Sequence, residues 1–220
     1  MIEESEEPKK KYDKYDESIN IVFLGEIFTG KTSLINVYIK NEFNENISPT
    51  KTACFSNKII KVGNKIYRLD LWDTAGQEKF RSMNKLFIKD SNIVLFTYDI
   101  TRKSTLKELL WWVEYTKTWI GEQSAIFGVI GNKLDLFDKE KEIKEKDKNS
   151  EFDLVNTDEG KQFADNIGAK FMETSAKEGA PDLAEFISEL VDEFSEKFIF
   201  SDKAECISLR GDVANSKKCC

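Results

Sequence analysis

Residues 25–32 read GEIFTGKT and match the phosphate-binding pattern G-x-x-x-x-G-K-[ST]. An apolar run of strand length, Ile19–Leu24, precedes them, and a segment that can form an amphipathic helix, Ser33–Ile39, follows them. The glycines let the backbone turn its N–H groups toward phosphate oxygens, and the helix adds its positive end. In this pattern Lys31 should reach the β- and γ-phosphates and Thr32 should hold Mg²⁺. The alternative, a glycine-containing turn before an ordinary helix, is disfavoured by the strand–loop–helix context.

Two later loops carry groups that can read a guanine base. The sequence NKLD follows a predicted buried strand, and its carboxylate, Asp135, can accept hydrogen bonds from guanine N1–H and the N2 amino group. The Asn132 amide and the Lys133 alkyl stem can brace this loop and the base. The sequence SAK follows another strand, and the backbone N–H of Ala176 can point at guanine O6. Adenine offers neither feature, so GTP or GDP is predicted and a P-loop kinase or ATPase is disfavoured.

The composition excludes several classes of function. The chain has 220 residues, which is enough for one domain with appendages, and its net charge of −7 argues against nucleic-acid binding. It contains no histidine, so an imidazole base, a histidine triad and a histidine metal site are excluded. The four cysteines fit neither a zinc site nor a disulfide framework. With no membrane-spanning run, signal peptide or N-myristoylation glycine, we expect a cytosolic chain unless its C-terminus carries an anchor.

Predicted strands alternate with predicted helices along most of the chain. The predicted strands are residues 19–24, 55–62, 65–72, 92–98, 124–131 and 170–174, and the second and third read as a hairpin. The predicted helices are residues 33–39, a segment that starts at Ser104, and residues 181–198. Trp111 and Trp112 of the second helix are interpreted as packing residues. This order predicts an α/β fold of the P-loop NTPase type, with a mostly parallel six-stranded sheet, helices on both faces, and one nucleotide at the strand ends.

The charge pattern divides the chain into a domain and its appendages. Residues 1–18 are charged and poor in large aliphatic side chains, so they are predicted to be a mobile tail. Residues 19–200 form the predicted domain, and residues 201–220 the flexible C-terminal tail. Residues 137–153 interrupt the domain with mixed Lys and Glu, which favours a solvated surface insertion over the alternative of an arm that docks a partner.

Five separated motifs carry a family resemblance. The phosphate loop, NKLD, ETSAK at residues 173–177 and DTAGQE at residues 73–78 resemble those of the small GTPases of the Ras superfamily. The sequences WDTAGQEKFR and YDIT, together with the terminal Cys219-Cys220, resemble the Rab branch. The resemblance covers about residues 18–200 and the last two residues, and it implies a GTP-binding and GTP-hydrolysing switch in membrane traffic.

The resemblance also implies roles for individual residues. Thr32 and Thr50 would ligate Mg²⁺, with Asp73 holding it through water. The Gly76 N–H would contact the γ-phosphate, and Gln77 would be the catalytic residue that orients the attacking water. The implied nucleotide-binding residues are Gly25, Phe28, Thr29, Gly30, Lys31, Thr32, Ser33, Phe43, Thr50, Gly76, Asn132, Lys133, Asp135, Ser175, Ala176 and Lys177.

Two segments would act as switches. Residues 41–52 would be the first and residues 75–87 the second, held by the γ-phosphate and Mg²⁺ and released by hydrolysis. The first switch has no evident arginine, so a partner would have to supply one to the reaction. Phe55, Trp72 and Phe87 fall where Rabs place an aromatic effector patch, and ordinary packing between strand and helix is the alternative.

The resemblance implies a set of partners and a location. The partners are an exchange factor, a GTPase-activating protein, effectors, a prenyl-transfer enzyme and a GDI-type chaperone, with no nucleic acid and a monomeric chain. Geranylgeranyl groups on Cys219 and Cys220 would anchor the protein to the cytoplasmic face of an endomembrane or vesicle, with a cytosolic pool. The alternative for the cysteine pair is two unmodified thiols.

The sequence departs from the Rab pattern in three places. Ile27 and Phe28 stand in the phosphate loop where Rabs usually carry small or polar residues, the first switch reads TKTACF from Thr50, and the charged insertion is long. A stiff Ile27 near the attacking water can slow hydrolysis. Two hypotheses therefore stay open: a GTPase that cycles between states, which Gln77 favours, and a GTP-locked scaffold, to which Ile27 and Phe28 lend weight.

Overall fold

The computed structural model describes residues 14–76, 81–120, 125–137 and 153–199, with the backbone alone at residues 81–83 and 199. Several predictions lie outside the described residues: Gln77, Cys219 and Cys220, residues 1–13 of the N-terminal tail, residues 138–152 of the insertion, and the C-terminal tail.

A six-stranded sheet forms the centre of the domain. Its strands are β1 Glu17–Leu24, β2 Cys54–Val62, β3 Lys65–Asp73, β4 Ile93–Asp99, β5 Ile126–Asn132 and β6 Lys170–Thr174. They lie in the order β2-β3-β1-β4-β5-β6, and every neighbouring pair is parallel except the β2–β3 hairpin. The mostly parallel α/β sheet predicted from the sequence is confirmed, with each strand within two residues of its predicted bounds.

Helices cover both faces of this sheet. They are α1 Lys31–Lys40, α2 Arg81–Lys89, α3 Lys103–Ile120, α4 Thr157–Ile167 and α5 Leu183–Phe194, which continues as a π-helical turn, Ser195–Ile199. One apolar core joins the sheet to α1 and α5, and a second joins it to α2, α3 and α4. All seven residues of β4 are buried because they lie between the two cores, which explains their continuous apolar sequence.

Some helices differ from the sequence-based prediction. Neither α2 nor α4 was predicted, although Asn156 and Glu159 form a capping box at the start of α4. In α3, Trp112 is fully buried as a packing residue. Trp111 lies at the surface instead, 38% exposed, where it stacks on Tyr115 with 4.8 Å between ring centroids.

The topology gathers the motif loops at one edge of the sheet. Because β1, β3, β4, β5 and β6 are parallel, their carboxyl ends meet at the same edge. The phosphate loop follows β1, Thr74–Gly76 follow β3, NKLD begins at the last residue of β5, and SAK follows β6. Ligands of open α/β sheets bind in the crevice outside such strand ends.

Candidate nucleotide-binding site

The phosphate loop is held in a tight conformation that depends on glycine. Gly30, the residue before α1, has φ 95°, and a Cβ there would lie 2.1 Å from Asn132 Nδ2. Phe28 is a non-glycine residue with φ 63°, and its side chain is 57% exposed. Thr29 is fully buried and its hydroxyl donates to the Glu26 carbonyl at 3.0 Å. The loop therefore places the start of α1 against the NKLD loop, with an aromatic ring at the surface.

Lys31 lies inside the loop. Its ammonium donates to the carbonyl oxygens of Gly25, at 2.9 Å, and Glu26, at 2.8 Å. Burial lowers the pKa of Lys31 to about 8, although the charges of Asp73 and Glu26 oppose the shift. A phosphate group would supply the negative charge that the buried ammonium lacks.

Three oxygen-bearing side chains meet beside α1. The Thr32 hydroxyl donates to Asp73 Oδ2 at 2.7 Å and lies 2.9 Å from the Thr50 hydroxyl, which is 3.4 Å from the same Asp73 oxygen. Asp73 Oδ1 is buried and has no hydrogen-bond partner among the described residues. Burial raises the pKa of the Asp73 carboxyl, and hydrogen bonds from Thr32 and Thr50 and the charge of Lys31 oppose this shift. The structure thus brings together the three residues that the resemblance assigns to the cation.

This cluster has only one carboxylate. Among the described residues, no group of three or more acidic, cysteine or histidine side chains could hold a metal ion. Mg²⁺ typically binds one or two carboxylates and completes its octahedral shell with water and phosphate oxygens. Two hydroxyls and one carboxylate beside a phosphate loop fit that chemistry.

The Asn132 side chain joins the phosphate loop to both base-reading loops. Its Nδ2 donates to the Thr29 carbonyl at 2.9 Å, and its Oδ1 accepts from the Ala176 N–H at 3.0 Å. Ser175 donates to Asp135 Oδ1 at 2.6 Å and so orients that carboxylate. These contacts place the Asn132 amide between the phosphate loop and the SAK loop. The Ala176 N–H already has an acceptor, so a bond to guanine O6 would share this donor.

Lys133 contacts Asp99, a residue that the sequence analysis did not assign to the site. Its ammonium lies 2.7 Å from Oδ2 of Asp99, at the end of β4, and Arg102 Nε lies 2.9 Å from the same oxygen. Burial alone would raise the pKa of Asp99, but Lys133 and hydrogen bonds from Thr101 outweigh it and lower the pKa. Asp99 belongs to YDIT and Arg102 follows it directly, yet no local pattern shows that Asp99 contacts Lys133 of NKLD or that Arg102 contacts Asp99.

These loops line one cavity at the strand ends. Of the predicted nucleotide-binding residues, the lining includes Phe28, Gly30, Lys31, Thr32, Ser33, Phe43, Thr50, Gly76, Asn132, Lys133, Asp135, Ala176 and Lys177. Gly25, Thr29 and Ser175 are not in the lining, but each is hydrogen-bonded to a residue that is: Lys31, Asn132 and Asp135 respectively. Phe43 is 38% exposed at the mouth, and Glu45, which sequence reasoning missed, pairs there with Lys177 at 2.6 Å.

The three residues of the predicted effector patch form a continuous aromatic row. The ring centroids of Phe55 and Trp72 are 4.9 Å apart, and those of Trp72 and Phe87 are 4.6 Å apart. Phe55 is 49% exposed, whereas Trp72 and Phe87 are partly buried against the core below α2 and α3. The row therefore packs on the domain and also presents apolar surface beside α2.

None of the helices in the described part of the chain combines the length and the apolar composition that a membrane span requires.

Strand order, phosphate loop and base-reading loops together define a P-loop nucleotide-binding protein. The family model described as Ras family matches residues 20–196. Over 208 residues the chain is 34% identical to Ras-related protein Rab-17 of Homo sapiens, covering 91% of this chain and 89% of the relative. Rab-21 of Canis lupus familiaris is 35% identical over 161 residues, covering 73% of this chain and 66% of the relative. For Rab-31 of Rattus norvegicus the identity is 34% over 159 residues, which is 72% and 74% of the two chains.

The chain therefore belongs to the Ras family, as a small GTPase of the Rab type. It binds guanine nucleotide, hydrolyses GTP to GDP and phosphate, and acts as a switch in membrane traffic that works with regulators and effectors. The resemblance found in the motifs is confirmed.

The buried ammonium of Lys31 predicts proton uptake when nucleotide binds. A bound phosphate raises the pKa of Lys31 above its value of about 8 in the free protein. The contribution of the ammonium to GDP affinity is then fully present well below pH 8 and is lost as the pH rises through 8, and at pH 8 GDP binding should be accompanied by uptake of about half a proton by the Lys31 amine. Calorimetry at pH 8 in two buffers of different ionisation enthalpy measures this uptake. Equal GDP affinity from pH 7 to 8.5, with no uptake, would contradict the role of Lys31.

Proposed function

We propose that this Rab-type GTPase switches through a Mg²⁺ site formed by Thr32, Thr50 and Asp73. The observation that carries the proposal is the meeting of these side chains, which come from α1, from the first switch and from the end of β3. The Asp73 oxygen without a hydrogen-bond partner among the described residues supports it, because a cation would stabilise that buried carboxylate. Held by these three side chains, Mg²⁺ would neutralise the negative charge that develops on the phosphates of GTP during hydrolysis.

The position of Thr50 supports an order–disorder switch. Thr50 belongs to the first switch, residues 41–52, and its contacts here are the hydroxyl of Thr32 and the carboxylate of Asp73. Gly76 belongs to the second switch, residues 75–87, and a Cβ there would lie 2.5 Å from the Ile27 backbone nitrogen. Both switches thus contact the phosphate loop, where the γ-phosphate of GTP would hold them and its loss would release them.

Hydrolysis would depend on Gln77, which lies outside the described residues. As the catalytic residue it would orient the attacking water, and in-line attack would need positioning more than covalent chemistry. Gly76, its neighbour in sequence, lies directly against the backbone of Ile27. This proximity supports an effect of Ile27 that slows intrinsic hydrolysis, and a GTPase-activating partner would supply the arginine that the first switch lacks. It also keeps a second candidate open, a GTP-locked scaffold.

The membrane and partner assignments extend this proposal. Prenyl groups on Cys219 and Cys220, added by a prenyl-transfer enzyme and covered in the cytosol by a GDI-type chaperone, would place the monomer on the cytoplasmic face of an endomembrane or vesicle. The domain of residues 19–200 would then work above a flexible tail of residues 201–220. Effectors would bind the aromatic row of Phe55, Trp72 and Phe87 in the GTP state, since half-exposed Phe55 lies beside the switches.

Replacing Ile27 tests the switch against the scaffold. We expect Ile27→Gly to hydrolyse GTP roughly tenfold faster than the wild type, because a displacement of about 1 Å at an attacking group can change rates by ~10²-fold. Ile27→Ser should fall between the two. Single-turnover hydrolysis with and without a Rab-activating protein gives these rates. If all three proteins agree within a factor of about two, Ile27 does not obstruct the reaction and the scaffold loses its main support.

Replacing Asp135 tests the reading of the base. Asp135→Asn should weaken GTP binding by roughly a hundredfold, because each hydrogen bond to a charged group is worth about 1.5–3 kcal/mol. Xanthosine triphosphate should bind the variant better than GTP does, since its carbonyl accepts from the new amide. Competition of GTP, xanthosine triphosphate and ATP against a fluorescent nucleotide measures the three affinities. A variant that still prefers GTP would overturn the assigned role.

Removing the terminal cysteines tests the anchor. One lipid chain binds membrane marginally and two bind it stably, so Cys220→Ser should shift the protein toward the cytosol and loss of both thiols should complete the shift. Cys206→Ser is the matched control, because it removes a cysteine from the same part of the sequence. Fractionation of cells that express each full chain gives the membrane-bound share. If the double variant still pellets with membranes, lipid is not the anchor.

A further inference from the structure

The carboxylate of Asp99 is a buried junction at the end of β4. The residue is 1% exposed. Its Oδ1 accepts from the backbone N–H of Thr101 at 3.0 Å and from the Thr101 hydroxyl at 2.7 Å. Its Oδ2 receives two cations, Lys133 at 2.7 Å and Arg102 at 2.9 Å. Oδ1 therefore has two uncharged donors from Thr101, and Oδ2 has two cationic partners.

The two cations connect Asp99 with two different loops that line the cavity. Lys133 belongs to the NKLD loop and lines the cavity beside Asp135. The Nη2 of Arg102 donates to the Ile27 carbonyl of the phosphate loop at 3.2 Å. One carboxylate oxygen therefore connects a base-reading loop with the phosphate-binding loop.

The conformation of Lys133 adds a reason for this connection. Its φ is 74°, in the left-handed region that is unfavourable for a residue with a side chain. Such a conformation persists where surrounding contacts over-determine it. The buried ion pair with Asp99 is a contact of that kind, because a carboxylate that lost its cations would be left charged and unpaired in the interior.

We propose that Asp99 and Arg102 are positioning residues that set how long the protein retains guanine nucleotide. Asp99 fixes the Lys133 stem at the base half of the cavity, and Arg102 fixes the Ile27 carbonyl at the phosphate half. The pair thereby holds the two halves at a constant separation. The inference rests on the proposed roles of Lys133 and the phosphate loop in nucleotide binding.

The test uses the full-length protein loaded with a fluorescent GDP analogue, and it measures the dissociation rate in excess unlabelled GDP. In Asp99→Asn one oxygen still accepts from Thr101, while the new amide presents a donor toward Lys133 and Arg102. We expect dissociation roughly tenfold faster, because charge-assisted hydrogen bonds of this kind are about twice as strong as neutral ones. Arg102→Met keeps the alkyl stem and loses the guanidinium, and it should give roughly a threefold increase.

A matched control separates positioning from general stability. Asp70 is another buried carboxylate paired with an arginine, Arg68, through hydrogen bonds of 3.0 and 2.7 Å, and neither residue lines the cavity. Asp70→Asn should lower the melting temperature without changing the dissociation rate. If Asp70→Asn and Asp99→Asn accelerate dissociation equally, the effect is general loosening and the proposal is wrong.

A double-mutant cycle tests whether Asp99 acts through Lys133. Lys133→Met keeps the stem and removes the ammonium, so adding Asp99→Asn to it should accelerate dissociation far less than in the wild type. If the two substitutions act independently, so that their factors in the dissociation rate multiply, the proposal is wrong. If Asp99→Asn does not fold, the test rests on Arg102→Met. A dissociation rate of Arg102→Met equal to that of the wild type then contradicts the inference. A wild type that binds no GDP would instead refute the nucleotide site itself.

Discussion

The amide of Asn132 is the contact on which the arrangement of the site most depends. The side chain is 2% exposed and uses both ends, donating to the phosphate loop at Thr29 and accepting from the SAK loop at Ala176. Loops after three parallel strands meet at this one group. The close fit also explains why Gly30 has no side chain, since a Cβ there would lie 2.1 Å from the amide nitrogen. A buried amide that lost either partner would leave polar backbone groups unsatisfied, which is costly in the interior.

Two groups of contacts surround Asn132, and they differ in how firmly the surrounding structure holds them. Lys133 and Arg102, which are partly exposed, pair with the buried carboxylate of Asp99 at the end of β4, and this ion pairing suits a rigid base site. Thr50 contributes to the cation cluster from an irregular segment between α1 and β2, where residues 42–49 are mostly exposed. A segment with so few buried contacts opens at low free energy, so its order can depend on a ligand. Under the proposed function, a rigid base site and a releasable switch would therefore share one cavity.

The sequence predicted the fold well because its signals were local. Strands β1 and β4 were short apolar runs, β2 and β3 were recognisable as a hairpin, and the large apolar residues of α5, such as Leu183, Ile187 and Leu190, are all buried. Helix α4 was not predicted because its segment is charged and only weakly apolar, although Asn156 and Glu159 form a capping box at its start. Asp99 and Arg102 were missed for a different reason. Their partners are the distant Lys133 and Ile27, and only the parallel register that places Asp99 beside Asn132 creates the contact.

The central claim is that Thr32, Thr50 and Asp73 hold a cation that secures bound nucleotide. The most direct measurement is the rate of GDP release from the full chain, with millimolar Mg²⁺ and then with an excess of chelator. The account predicts that chelation speeds release by at least roughly tenfold, the equivalent of about 1.4 kcal/mol of cation-dependent binding. It also predicts that Thr32→Ala releases GDP quickly under both conditions. Equal rates with and without chelator in the wild type would contradict the assignment.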